Sequence, residues 1–310
     1  KGIYQIREHQ PTEYYDGGER VGSAGGSSFD IGDQYSMFTS IVLLPGMDAI
    51  RYDFCEHIGV MLSGYVYHDR SDDGIFDRTT EEGIAGVVIK LLDEAGNDTG
   101  LRATTDATGF YKFNNLRAGK YSVMEIHPAG WIDGKDTAGS LGGIADATPG
   151  ADMISMIMIN WGEMGTEYNF GELKPGSIRG RVVVVTDPDC DCGCGSDEEG
   201  ENDSPPIPNV RIDLLNAQGQ VIATTYTNAD GRYEFTNLPP GVYSVLEHQP
   251  VGYFDLGGSV GNGGGVKIHS NLIADIEISS DEHAAYYDFC EEPPASLSGY
   301  VYIDGAPIPV

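Results

Sequence analysis

The chain repeats itself, so a single structural unit has to suit several stretches of sequence at once. Gly2-Ile3-Tyr4-Gln5-Ile6-Arg7-Glu8-His9 recurs as Gly119-Lys120-Tyr121-Ser122-Val123-Met124-Glu125-Ile126-His127 and as Gly241-Val242-Tyr243-Ser244-Val245-Leu246-Glu247-His248. Each copy runs through a proline and an aromatic into a Gly-rich loop and closes on Tyr52-Asp53-Phe54, Tyr168-Asn169-Phe170 or Tyr287-Asp288-Phe289. A fresh copy then opens, as Leu62-Ser63-Gly64-Tyr65-Val66-Tyr67 and again as Leu297-Ser298-Gly299-Tyr300-Val301-Tyr302. The repeat edges divide the chain into 1–58, the C-terminal part of a first domain; 59–174 and 175–295, two complete domains; and 296–310, the first strand of a further one. The two complete segments have the size of ordinary single domains with their own cores. On this reading the chain is a window on a longer array.

Helical periodicity is missing, whereas period-two alternation is frequent. It marks Val87-Val88-Ile89-Lys90-Leu91-Leu92, Tyr111-Lys112-Phe113 and Met153-Ile154-Ser155-Met156-Ile157-Met158-Ile159, and later Val210-Arg211-Ile212-Asp213-Leu214-Leu215, Tyr233-Glu234-Phe235 and Ile273-Ala274-Asp275-Ile276-Glu277-Ile278. Turn strings such as Asp106-Ala107-Thr108-Gly109 and Ala229-Asp230-Gly231 separate them. About seven short strands per unit with turns at this spacing predict an all-β fold of tandem Ig-like β-sandwiches. Pro175 after one unit and Pro293-Pro294 after the next stiffen the junctions, so a rod is expected.

Acidic residues outnumber basic ones by 48 to 18, a net charge of −30. That balance excludes a nucleic-acid partner, which requires a basic face. It suits a self-repelling extracellular protein, or carboxylates arranged for cations. No apolar run in the sequence is long enough to span a membrane.

The sharpest local signal is Asp69-Arg70-Ser71-Asp72-Asp73-Gly74-Ile75-Phe76-Asp77. Oxygen ligands at positions one, three and five, glycine at six and oxygen at nine form a Ca²⁺ loop pattern. The predicted ligands are Asp69, Ser71, Asp73, the Ile75 carbonyl, Asp77 and Glu81. Position twelve is Thr80, so Glu81 closes the loop one residue late. The 175–295 copy carries Asp187-Pro188-Asp189-Cys190-Asp191-Cys192-Gly193-Cys194 instead. Asp187, Asp189 and Asp191 keep the alternate spacing of a cation site. Its thiols fit either disulfides or a soft metal such as Zn²⁺, although a zinc site would need a second cluster that is missing.

Cys55 and Cys290 share one repeat position, so one two-domain unit holds the even set Cys190, Cys192, Cys194 and Cys290, which suggests disulfides in an oxidising compartment. The first strand should carry the chain to the end of the domain where the last strand finishes, which places the Cys-rich loop near Cys290. Enzyme signals are poor. Gly257-Gly258-Ser259-Val260-Gly261 matches a nucleophile string but sits at the repeat position of Ala138-Gly139-Ser140-Leu141-Gly142-Gly143 with no helix after it.

Several strings resemble the B-repeat domains of serine–aspartate-repeat surface adhesins within the wider Cna-B-like family. They are Ser63-Gly64-Tyr65-Val66-Tyr67-His68-Asp69 with its acidic loop, Gly83-Ile84-Ala85-Gly86-Val87-Val88-Ile89-Lys90-Leu91, Thr105-Asp106-Ala107-Thr108-Gly109-Phe110-Tyr111, and the Gly-x-Tyr-Ser-Val-x-Glu strand. The resemblance implies a β-sandwich, Ca²⁺-dependent rigidity, a cell-surface or secreted location and no catalysis. Many Cna-B-like domains carry a Lys–Asn isopeptide bond; Asn169 with Glu125, and Asp288 with Glu247, resemble its acceptor and promoting acid. The first strands contain no lysine, so no such bond is expected unless Lys174 supplies the amine.

The expected function is a non-catalytic, calcium-stiffened extracellular fibre or cell-surface stalk, associating with itself or with neighbouring repeats. Two alternatives stand beside it: the stalk of an adhesin whose ligand-binding head lies outside this window, and an accessory binding module of a secreted enzyme.

Overall fold

Every alternating segment named above is a strand, and among the described residues the one helical element is a 3-10 turn at Gly32–Gln34. The computed structural model describes residues 1–146, 152–186, 192, 204–303 and 306–308. Contacts group the chain into two compact units, Lys1–Glu172 and Leu173–Val310.

In the first copy, β1 (Gly2–His9), β2 (Tyr14–Arg20), β3 (Ser27–Asp30), β4 (Tyr35–Leu43) and β5 (Asp53–Ile58) form a three-stranded sheet, β1-β4-β3, and a pair, β2-β5. The second copy comprises β6 (Val60–His68), β7 (Val88–Leu92), β8 (Asp98–Thr104), β9 (Phe110–Leu116), β10 (Gly119–Ile126), β11 (Ile132–Asp133), β12 (Ile144–Ala145), β13 (Met153–Ile159), β14 (Met164–Gly165) and β15 (Phe170–Leu173). One sheet is ordered β12-β13-β10-β7-β8; the other is β11-β15-β6-β14, with β9 also paired to β6.

The third copy repeats this plan strand for strand as β16 (Gly176–Val184), β17 (Arg211–Asn216), β18 (Val221–Tyr226), β19 (Arg232–Leu238), β20 (Gly241–Glu247), β21 (Phe254–Ser259), β22 (Val266–His269), β23 (Leu272–Ile278), β24 (His283–Ala284) and β25 (Asp288–Glu292). Its sheets are β18-β17-β20-β23-β22 and β19-β16-β25-β21, with β24 on β16. A hairpin of β26 (Val301–Ile303) and β27 (Ala306–Ile308) follows. Among the described residues, ten strands per complete copy exceed the expected seven because two-residue pairings such as β11, β12 and β14 leave no periodic trace in sequence.

The two sheets of each complete copy close over a core. In the second it contains Leu62, Val66, Ile89, Leu91, Tyr111, Val123, Ile154, Ile157, Tyr168 and Phe170; in the third, Ile178, Val182, Ile212, Leu214, Tyr233, Val245, Ile273, Ile276, Tyr287 and Phe289. First and last strands lie parallel, Val66 beside Phe170 and Val183 beside Cys290, so the loops leaving β6 and β16 emerge where the last strands end. Asn169 Oδ1 accepts from Tyr65 N at 3.0 Å and Asp288 Oδ1 from Arg181 N at 2.8 Å. These two residues thus pin the last strand to the first by hydrogen bonds, and Lys174 Nζ pairs with Asp281 at 3.1 Å.

Two repeated details explain repeated residues. Tyr111 Oη donates to Tyr168 O at 2.7 Å and Tyr233 Oη to Tyr287 O at 2.6 Å. Those carbonyls approach so closely that a Cβ added at Gly64 or Gly180 would lie 1.8 or 1.9 Å from them, so only glycine fits. The register of β1 on β4, β10 on β13 and β20 on β23 shifts at the same place in each copy, with Ser40, Met156 and Asp275 at φ of 58°, 57° and 55°.

Candidate calcium loop and disulfide

The chain leaving β6 at His68 curls at once, because the short carboxylates at its start capture backbone amides. Asp69 is fully buried: its amide donates to Glu172 O at 2.9 Å, its Oδ1 accepts from Asp73 N at 3.1 Å, and its Oδ2 accepts from Gly74 N at 2.8 Å. Gly74 has φ of 77°, the left-handed turn that position six of such a loop demands. Ser71 Oγ lies 3.4 Å from both Asp69 Oδ1 and Glu81 Oε1. Asp73 Oδ1 accepts from Ile75 N at 2.8 Å.

Glu81 folds back into the loop and is buried, with Oε2 accepting from Asp77 N at 3.0 Å. Thr80 is exposed. The Asp77 carboxylate is held below the usual range by the Thr79 hydroxyl and amide. Asp69, Ser71, Asp73 and Glu81 are therefore tied together through backbone amides and a hydroxyl, whereas the exposed Asp77 carboxylate bonds to Thr79 and joins the loop through its amide.

Neighbouring cations are engaged elsewhere. Arg70 pairs with Glu82 at 2.9 Å, Arg78 with Glu167 at 2.8 Å, and Lys135 with Asp72 at 2.9 Å. The Tyr67 hydroxyl beneath the loop is buried without a hydrogen-bond partner. Its pKa is raised, by burial first and then by the charges of Asp69, Glu81 and Asp73. This donor set is all oxygen, anionic and short of positive charge, which fits a hard divalent cation such as Ca²⁺. Asp69, Asp73, Asp77 and Glu81 would hold it, with Ser71 and the Ile75 carbonyl, and the ion would supply structural cross-linking of the loop.

Sequence reasoning missed the anchors of this loop. Lys135 reaches the Asp72 carbonyl as well as its carboxylate, and Thr137 Oγ1 donates to Gly74 O, both from the segment after β11. A signal did exist: the third copy lacks the loop and has Gly257 opposite Lys135. That register follows because Gly139 packs on Tyr168 as Gly261 packs on Tyr287; matching the two Gly-rich strings instead sets Gly257 opposite Ala138.

Cys192 and Cys290 are joined by a disulfide across a sequence separation of 98 residues, with Cα atoms 5.4 Å apart. The parallel pairing of β16 and β25 makes this possible, as it places the chain leaving Val184 beside Glu291. Cys55, at the repeat position of Cys290, is exposed and unbonded. Cys190, Cys194, Asp187, Asp189 and Asp191 lie outside the described residues. The nucleophile-like string falls partly within β21, where Ser259 pairs with Asp288 in the ladder.

Among the described residues no helix is long and apolar enough to cross a membrane. The model of the SdrD B-like domain matches residues 60–173 and 193–283. Serine-aspartate repeat-containing protein D of Staphylococcus aureus (strain MW2) is 30% identical over 262 residues, covering 83% of this chain and 18% of that protein. Serine-aspartate repeat-containing protein F of Staphylococcus epidermidis is 32% identical over 201 residues, covering 65% of this chain and 12% of that protein (strain ATCC 12228 / FDA PCI 1200). The chain thus spans less than a fifth of the length of these relatives. Among solved structures, the Bacillus anthracis TIE protein is 19% identical with a TM-score of 0.30, covering 84% of this chain and 39% of that one. The minor pilin GBS52 of Streptococcus agalactiae is 14% identical with a TM-score of 0.31, covering 79% of this chain and 100% of that one. On the family model, which matches nearly all of the second copy and most of the third, and on the repeat residues that build the core of each, this chain belongs to the SdrD B-like domain family.

Proposed function

We propose that the chain is a non-catalytic structural module of the bacterial cell surface, a stalk or fibre of tandem sandwiches whose acidic loop is stiffened by Ca²⁺. The observation that carries this reading is the loop at Asp69–Glu81. Three of its carboxylates, Asp69, Asp73 and Glu81, accept backbone amides, the first and last of them buried, while the nearby arginines and lysine pair with other acids. A cation there would tie the end of the first strand to the loop and, through Lys135 and Thr137, to the segment after β11. The four segments 1–58, 59–174, 175–295 and 296–310 are, in this reading, successive units of one array, and neighbouring repeats are its partners.

Thermal unfolding of the chain with Ca²⁺ and with EDTA tests the calcium reading, with electron microscopy of the same samples. At a hundredfold excess over Kd, binding to the folded state alone adds about 2.7 kcal/mol. Asp73→Asn and Glu81→Gln should each remove most of that gain. A midpoint unmoved by EDTA would mean that the acidic loop is ordinary surface.

A further inference from the structure

A second group of acids lies where β10 ends against β15. Glu125, Asp152 and Glu172 are 4, 8 and 1% exposed. Both carboxylate oxygens of Glu125, Asp152 Oδ1 and Glu172 Oε2 lack a hydrogen-bond partner. Three such acids buried together are costly as carboxylates: burial, and then the repulsion of neighbouring acids, raises all three above the usual range, and only a cation among them would keep them ionised. Ligand atoms of His127, Asp152 and Glu172 lie within 4.8 Å of one another.

The histidine indicates what is needed. Its Nε2 is 3.1 Å from the Trp131 carbonyl, which can only accept, so Nε2 carries the proton. Its Nδ1 is 3.6 Å from Asp152 Oδ2 and 3.5 Å from Glu172 Oε2. In the neutral ring that nitrogen presents a lone pair to two carboxylate oxygens. Protonating Nδ1 would bring a single positive charge to three buried acids, of which it faces only Asp152 and Glu172.

The other copies fill the corresponding positions with different side chains. Gln10 and Gln249 stand at the position of His127; their amides donate to Tyr14 O and Tyr253 O, as the imidazole does to Trp131 O, and also to Glu56 and Glu291, the counterparts of Glu172. Ser36 and Asn271 stand at the position of Asp152. Neutral side chains stand there, although Glu247 Oε1 and Oε2 and Glu291 Oε1 still lack a hydrogen-bond partner; the second copy differs in presenting acceptors at both positions.

We propose that His127, Asp152 and Glu172, with Glu125 behind them, form a second metal site, separate from the acidic loop, that takes a divalent transition-metal ion of the Mn²⁺ class. Imidazole suits such ions, whereas Ca²⁺ takes oxygen ligands. A ligating histidine characteristically donates its other ring N–H to a carbonyl, the role that Trp131 O fills.

The test uses the whole 310-residue chain, stripped with EDTA and returned to saturating Ca²⁺ so that the acidic loop is filled before Mn²⁺ is added. Electron paramagnetic resonance counts bound Mn²⁺, and its pulsed form detects a directly coordinated imidazole nitrogen. A single bound Mn²⁺ with nitrogen coupling is expected. His127→Gln, which installs the residue the other copies carry, should abolish the coupling and weaken binding about tenfold or more. Glu125→Gln should weaken binding yet keep the coupling. The proposal is overturned if no Mn²⁺ binds in the presence of Ca²⁺, or if coupling and affinity persist in His127→Gln. It is equally overturned if nitrogen NMR finds His127 doubly protonated at neutral pH with Mn²⁺ present.

Discussion

Breaking the Cys192–Cys290 bond should destabilise the Leu173–Val310 unit by an amount that loop length predicts. The bond spans 98 residues of sequence, and for a loop of that size the chain-entropy relation gives about 4.7 kcal/mol at 25 °C. Observed effects commonly fall at about 2–4 kcal/mol, since the unbridged unfolded chain keeps some structure. Native geometry should change little on cleavage, because Cys290 is already held beside Val183 by the ladder of β16 and β25. At about 1.4 kcal/mol per tenfold, the loss multiplies the unfolded population by roughly 30 to 1,000.

Hydrogen exchange read by mass spectrometry on peptides from β17, β20 and β23 measures this directly. Tryptophan fluorescence cannot, since Trp131 and Trp161 both lie in the other unit. Cys290→Ala should lose somewhat more than the reduced wild type, because it also trims a side chain only 2% exposed that the reduced protein keeps. If both lose less than about 1 kcal/mol of protection, the loop-closure argument fails for this domain.

Three further outcomes are expected. Gly64→Ala drives a Cβ against the Tyr168 carbonyl, 1.8 Å away, and should cost about 3 kcal/mol or more of Lys1–Glu172 stability; an unchanged urea midpoint by tryptophan fluorescence would contradict the close approach. Glu247 is pushed up to about 9 by burial, then by Glu291 and Asp255, and burial raises Glu291 to about 7 although Gln249 opposes it. The folded state thus holds these protons more tightly than the unfolded chain, so their contribution is complete below the ordinary glutamate range and is lost as pH rises through about 7 and about 9. The urea midpoint of Leu173–Val310 should fall between pH 6 and pH 9, and Glu247→Gln should flatten that fall; a flat or rising wild-type profile refutes it. Trp161 stacks on His57 at 4.6 Å and 3° and meets Tyr15 at 5.3 Å, so Trp161→Ala should make the 1–58 segment more susceptible to limited proteolysis while the 59–174 copy stays resistant.

Much of the molecule was legible because it repeats. Alternation located the strands of β7, β13, β17 and β23 and thereby the all-β class, and the loop beginning at Asp69 carried its own spacing. That the Cys-rich loop lies near Cys290 followed from strand direction, although the choice of Cys192 as its disulfide partner did not. Other features left no local trace. The shared register shifts sit at Ser40, Met156 and Asp275, which no turn rule would select, and two-residue strands such as β14 exist only because β6 offers an edge. Lys135 and Thr137 reach the acidic loop from more than sixty residues away.

The division has a physical basis. Periodicity and turn chemistry act between neighbours in sequence, so composition and order alone determined tandem β-sandwiches and the local curl of an acidic loop. Which groups become buried together depends on how sheets close on one another. Only that closure brought Glu125, Asp152 and Glu172 into one buried cluster with the His127 ring, and only there did a run of ordinary surface-type residues become a site that calls for a cation.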